Sequence, residues 1–280
     1  MPLDAWLAEL DHRNRDNVAR TASYLELYAW SRDAGCELPW VFMAHLVSRN
    51  AGYLMTDLAR TLGRADLDAG LGDAMRNLFL LLERANWLIF WDAWHHTLLH
   101  LAGRTDQLAA PRTPVFMIDA WRRFEADAAA AGGAVDAALE RRLVVELVHN
   151  EQHLIEHRVV HHPHLAPGRR LLDMVELSGR EKPLHFPPVT AAPLPEIRVG
   201  GFAQLPRRLA AGARIFDEVL ADRGRRDALF AWATAHPHTG SRAVYGGKPG
   251  PTLREAWPVD AVAAMWDGLH VPPAPDPSYP

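Results

Sequence analysis

Apolar residues recur every three to four positions from the start of the chain to about residue 178, the spacing of helices that bury one face. Asp4 is placed to cap a first helix, and 17–30 continues as an amphipathic run. Pro39 opens a helix over 39–62, proline being well tolerated in a first turn. Asp73 is placed to cap a long apolar helix over 73–102, which ends before Gly103. Past Pro111 and Pro114 the pattern predicts a helix over 115–131, stopped by Gly132 and Gly133. Asp136 starts another over 136–162, which Pro163 ends.

The composition shifts at residue 179. Pro183, Pro187, Pro188, Pro193 and Pro195 mark an irregular crossing segment. The chain therefore divides into a main helical domain (1–178), a proline-rich connecting segment (179–206), a C-terminal helical segment packed on the main domain (207–270) and a loose tail (271–280). Helices are expected over 207–222 and 224–235. No run shows the sustained alternation of a strand, and no repeat is present. The expected fold is all-α: an irregular multi-helix bundle with a proline-rich crossing segment and short C-terminal helices.

Projecting each helix at about 100° per residue places polar residues on apolar faces. On 136–162, Leu143, Leu147, Val148, Leu154, Ile155 and Val159 form one face, and Glu151 and Arg158, seven apart, fall within it. On 39–62, Asn50 and Asp57 fall among Phe42, Met43, Leu46, Val47, Tyr53 and Leu54. On 73–102, Glu83 lies on the stripe of Phe79, Phe90 and Trp94, with Asn86 beside it. A buried charge is costly unless it is paired or bound to a metal. Two readings follow. In one, Arg158, helped by Arg49 or Arg242, neutralises the carboxylates in a structural network. In the other, Asp57, Glu83 and Glu151 converge as ligands for a divalent metal (iron, manganese or zinc), with Arg49, Asn50, Asn86, Arg158 and Arg242 holding a small-molecule ligand.

His149, His153, His157 and His161, spaced four apart, form a stripe that can bind a metal in neutral form. It lies on the polar side of its helix, where a solvated surface is the plainer account. His153 and His157 stay on the list of candidate metal ligands. His153-Leu-Ile-Glu156-His157 fits the inverted zinc-peptidase pattern, and Glu146-Leu-Val-His149 fits one di-iron carboxylate element without its second copy. His96 and His100 share the face of Ile89 and Ala93, where a satisfied core histidine is the default.

Composition narrows the function classes. The chain has 280 residues, 49% of them hydrophobic, long enough to bury a core without disulfides or a structural metal. A single cysteine, Cys36, excludes an internal bridge and favours a reducing compartment. A net charge of -4 argues against a mainly electrostatic nucleic-acid binder. The first residues are charged and amphipathic, unlike an export signal, and the most apolar stretch, 78–94, is broken by Glu83, Arg84, Asn86 and Asp92. These features predict a soluble, cytoplasmic protein without a membrane span; association with copies of itself stays open.

Four segments, taken in order, carry a resemblance. They are Ser48-Arg49-Asn50-Ala51-Gly52 with Met55-Thr56-Asp57-Leu58; Glu83-Arg84-Ala85-Asn86-Trp87-Leu88-Ile89-Phe90 with Asp92-Ala93; Asn150-Glu151-Gln152 with Ile155-Glu156; and His238-Thr239-Gly240-Ser241-Arg242 with Tyr245. Together they resemble the YppC-like family of bacterial proteins of unknown function. His95-His96 depart from that pattern, standing in place of a Pro-Gln pair. The resemblance implies a single helical unit and no established activity. Two functions stay open: a metal-dependent enzyme with a buried carboxylate and histidine site, or a non-catalytic binding or structural protein whose buried ion pairs are architectural.

Overall fold

The computed structural model describes residues 3–14, 17–61, 72–108, 115–177, 182–189 and 194–238. The fold is all-α, with nine α-helices among the described residues. They are α1 (Leu3–Asn14), α2 (Asn17–Asp33), α3 (Pro39–Thr61), α4 (Gly72–Leu101), α5 (Val115–Ala130), α6 (Ala137–Ile155), α7 (Ala166–Leu177), α8 (Leu205–Ile215) and α9 (Arg223–Ala235). No helix among the described residues is long and apolar enough to cross a membrane.

Local chemistry explains several helix ends. Asp136 caps α6, its carboxylate accepting the Leu139 N–H at 2.8 Å. Asp222 does the same for α9 through Arg225 N–H at 2.7 Å. At the end of α4, Gly103 takes φ +63° and the Arg104 N–H closes back on the Leu99 carbonyl at 2.8 Å, a turn that favours glycine. Asp4 and Asp73 lie inside the first turns of α1 and α4 instead of in front of them, since the helices begin at Leu3 and Gly72.

Three departures from the expected pattern matter. First, α6 does not run to 162 as one α-helix. Glu156–Val160 is π-helical, with the His161 N–H on the Glu156 carbonyl at 3.1 Å, and a second π-helical segment, Phe216–Leu220, continues α8. Second, Pro163 does not end the helical region. It opens a 3-10 turn, Pro163–Leu165, that leads straight into α7. Third, the proline-rich segment contains a short antiparallel pair, β1 (Lys182–Leu184) with β2 (Ile197–Val199), Pro183 facing Arg198.

The long α4 sits at the centre and packs against α1, α2, α3, α6 and α7. Its approach to α7 is close: a Cβ on Gly168 would meet the Asn77 carbonyl oxygen at 2.2 Å. On the other side α8 lies on α6, where Gly212 faces Val148. Trp40, Trp87, Trp94 and Trp121 are fully buried, and so are three cations, Arg20, Arg49 and Arg226. Residues 239–280, including the expected tail, lie outside the described residues.

Candidate functional site: a polar cluster inside the bundle

The inward polar residues gather between α2, α3, α4 and α6. Arg20 on α2, which is fully buried, pairs with Glu83 on α4 at 3.0 Å. It also holds the end of α1, donating to Asn14 Oδ1 at 2.9 Å and to the Asn14 carbonyl at 2.7 Å. Asn14 in turn donates to the Trp87 carbonyl at 3.1 Å. One guanidinium thus ties α1, α2 and α4 together. The planar fork suits this, since its donors leave in fixed directions toward several acceptors.

Glu151 on α6 is also buried, but its partners are neutral. Trp40 Nε1 donates to one oxygen at 3.0 Å and Gln152 Nε2 to the other at 3.1 Å. Burial pushes its carboxyl up to about 8. The two donors pull it down, and the charge of Asp92 pushes it further up. Gln152 is fixed by Arg208 Nε on α8 at 3.0 Å, and Arg208 also bonds Glu156 and the Phe202 carbonyl.

Asp92 on α4 forms the third part. Asn150 Nδ2 reaches both its oxygens at 2.9 Å, and His96 Nε2 stands 3.3 Å from one of them. Trp121 Nε1 lies 2.8 Å from His96 Nδ1. An indole N–H can only donate, so Nδ1 accepts and the ring proton sits on Nε2, facing Asp92. The Tyr24 hydroxyl feels the charges of Arg20, Glu151 and Asp92, and burial pushes it well above its ordinary value. It has no hydrogen-bond partner among the described residues.

The predicted site residues fall into separate places. Glu83 and Glu151 are both buried, but each has its own partners, and the carboxylate whose charge bears on Glu151 is Asp92. Arg158 does not pair with Glu151. It is half-buried in the π-helical segment, where its charge bears on Arg84. The widened turn rotates everything after residue 155 away from the α-helical phase, so a spacing of seven no longer shares a face. Asn50 clamps a peptide group: its Nδ2 donates to the His185 carbonyl at 3.0 Å and its Oδ1 accepts the His185 N–H at 2.6 Å. Arg49 stacks 4.8 Å over Trp232 and donates to the His236 carbonyl at 2.6 Å. Asn86 donates within α4 to the Leu82 carbonyl at 2.8 Å. Arg242 and the side chain of Asp57 lie outside the described residues.

The histidine stripe lies at the surface. His149, His157 and His161 are exposed and His153 is half-buried. Burial pushes the His153 imidazole down, with His149 and His157 adding to it. Glu146 pairs with Arg123 and His161 with Glu156. Among the described residues no group of three or more His, Cys, Asp or Glu is arranged to hold a metal ion.

Periodicity alone did not single out Arg20, Tyr24, Trp40 or Arg208. For the first two a signal exists, because Arg20 and Tyr24 lie one turn apart on the face that carries Leu27 and Tyr28.

The sequence pattern of a family described as "Protein of unknown function (DUF2515)" matches residues 12–177, more than half of the chain. The chain belongs to the DUF2515 family. It is 34% identical over 158 residues to the "Uncharacterized protein YppC" of Bacillus subtilis (strain 168), an alignment that covers 54% of this chain and 44% of that protein. The chain thus spans less than half the length of this curated relative. No solved structure matches it. The DUF2515 stretch holds Arg20, Tyr24, Trp40, Glu83, Asp92, Asn150 and Glu151, while Arg208 comes from beyond it. Asn50 and Arg49 are among the side chains through which the matched stretch grips the chain that follows, at His185 and His236, as are Gln152 and Glu156 through Arg208.

Proposed function

We propose that this DUF2515 chain is a non-catalytic helical binding or structural protein whose buried ion-pair network is architectural. The Arg20–Glu83 pair carries the reading. A carboxylate that looked like a metal ligand is held instead by a fully buried guanidinium that also fixes the end of α1. Asn50 and Asp92 support it in the same way, each held by protein groups on another element. In this reading the network sets helix register, because any other register of these helices would leave a charge buried alone. A cytoplasmic location belongs to the same reading, supported by the lone cysteine.

One observation favours a second reading, a metal-dependent enzyme using iron, manganese or zinc. Glu151 holds its proton near neutral pH beside the Asp92–His96 pair, and strongly shifted carboxyls cluster at functional sites. Elemental analysis of protein purified without chelator or added metal separates the two. The architectural reading expects no stoichiometric metal in the parent, and a loss of stability in Glu83→Gln. Near-stoichiometric metal that disappears in Glu83→Gln or Glu151→Gln would overturn it in favour of the second.

A further inference from the structure

Polar contacts hold the centre of α8 on α6. Of its eleven residues three are buried, Arg208, Gly212 and Ile215, while Leu205 and Leu209 are half-buried. Arg208 donates through Nε to Gln152 Oε1 at 3.0 Å and through its terminal nitrogens to Glu156 and the Phe202 carbonyl. Gly212 lets the two helices approach, since a Cβ there would meet Val148 Cγ1 at 2.6 Å. The chain just beyond is anchored differently. Phe216, Val219 and Leu220 of the π-helical continuation are buried in the core, and Asp217 takes two donors of Arg141 on α6 at 2.7 and 2.8 Å. A segment with few buried apolar side chains opens at a lower free energy than one fixed in the core.

Behind α8 the hydrogen bonds lead inward. Gln152, whose Oε1 receives Arg208, gives its Nε2 to Glu151 at 3.1 Å. We infer that α8 is a lid on the Glu151 flank of α6, latched by Arg208 and hinged at Phe216–Leu220, and that its opening lets water reach Glu151. The proton on Glu151 biases this lid. Burial holds that carboxyl up at about 8, and water returns it toward its ordinary 4.5. The closed form thus keeps a proton that the open form releases, so opening gains as pH rises from about 5 to about 8 and gains no more above. Around Glu151 stand the uncharged Trp40 indole on α3, Asp92 with its partner His96 on α4, and Tyr24 on α2, whose hydroxyl feels its charge. On α6 and α8, Glu156 and Arg208 are paired and His153 feels Arg208. On α5, Arg123 pairs with Glu146. Arg20 and Glu83 take no part in the lid, so this inference and the architectural reading stand or fall separately.

The test is amide hydrogen exchange on the full chain, read by mass spectrometry from pH 6 to pH 9, with protection taken against unstructured-peptide rates at each pH. Amides of 205–215 are expected to be protected at least about tenfold less than those of 81–94 on α4, because the lid opens without global unfolding. In the parent their protection should fall by about fivefold to tenfold per pH unit between pH 6 and pH 8 and level off above. In Glu151→Gln, which cannot titrate, that fall should vanish. Arg208→Gln removes the latch and should lower protection of 205–215 by about tenfold or more at every pH, with α4 unchanged. This variant carries the test should Glu151→Gln fail to fold. Protection of 205–215 equal to that of α4 would mean that only global unfolding exposes it, and the lid would be overturned. A pH dependence absent from the parent or retained in Glu151→Gln would overturn the coupling to Glu151, and unchanged protection in Arg208→Gln would overturn the latch.

Discussion

Replacing Glu151 with glutamine should make the protein less stable in acid and more stable in mild base. In the folded chain burial holds the Glu151 proton until about pH 8, whereas an unfolded glutamate releases it near its ordinary value of 4.5. Between those values the unfolded chain has lost a proton that the folded chain keeps, so each rising pH unit removes about 1.4 kcal/mol of stability. Above the folded value no more is lost. From about pH 5 to about pH 8 the parent should therefore lose about 3–4 kcal/mol through this group alone. Glutamine does not titrate, but its amide nitrogen must face either Trp40 Nε1 or Gln152 Nε2, both donors, at a pH-independent cost of about 1–3 kcal/mol. His45 and His238, which burial pushes down to about 3, act in the opposite direction. They stay neutral in the fold and are protonated on unfolding below their ordinary 6.5, so they remove stability as pH falls. The difference between parent and variant cancels them. Urea unfolding followed by tryptophan fluorescence across this range measures that difference. A difference that stays flat with pH would refute a neutral, buried Glu151.

Other outcomes follow from particular contacts. Asn50→Ala removes both bonds to the His185 peptide group and should cost about 1–3 kcal/mol, with faster proteolysis around 182–189. Gly168→Ala should cost at least about 1–3 kcal/mol in urea unfolding, since the new Cβ meets backbone at Asn77 and nothing there can rotate away. Gly212→Ala meets only the Val148 side chain, so its loss should be smaller and largely recovered in combination with Val148→Ala. Asp136→Ala should cost about 1 kcal/mol through loss of the α6 cap, measured the same way.

What the sequence disclosed and what it withheld divide along physical lines. Helix 39–62 was legible nearly to the residue, and Asp136 announced its cap, because both signals are local. Glu83 and Glu151 read correctly as inward, since a charge on an apolar face is visible in one helix. Their partners were not legible. Arg20 and Glu83 are 63 positions apart, and periodicity says which face a residue occupies, not which residue it meets. Arg158 was misassigned to Glu151 because a uniform α-helical phase was carried across the π-helical turn. The three-residue strands β1 and β2 are too short for alternation to show, and their prolines read as irregular chain.

The central claim is that the polar core fixes helix arrangement, and a double-mutant cycle on Arg20 and Glu83 tests it most directly. Arg20→Met, Glu83→Gln and the double variant would be compared with the parent by urea unfolding. Each single change should cost about 3–5 kcal/mol by leaving its partner buried and uncompensated, and the double variant should cost clearly less than the two together. Single costs below about 1 kcal/mol, or costs that simply add, would mean the pair does not hold α1, α2 and α4 in place, and the architectural account would be wrong.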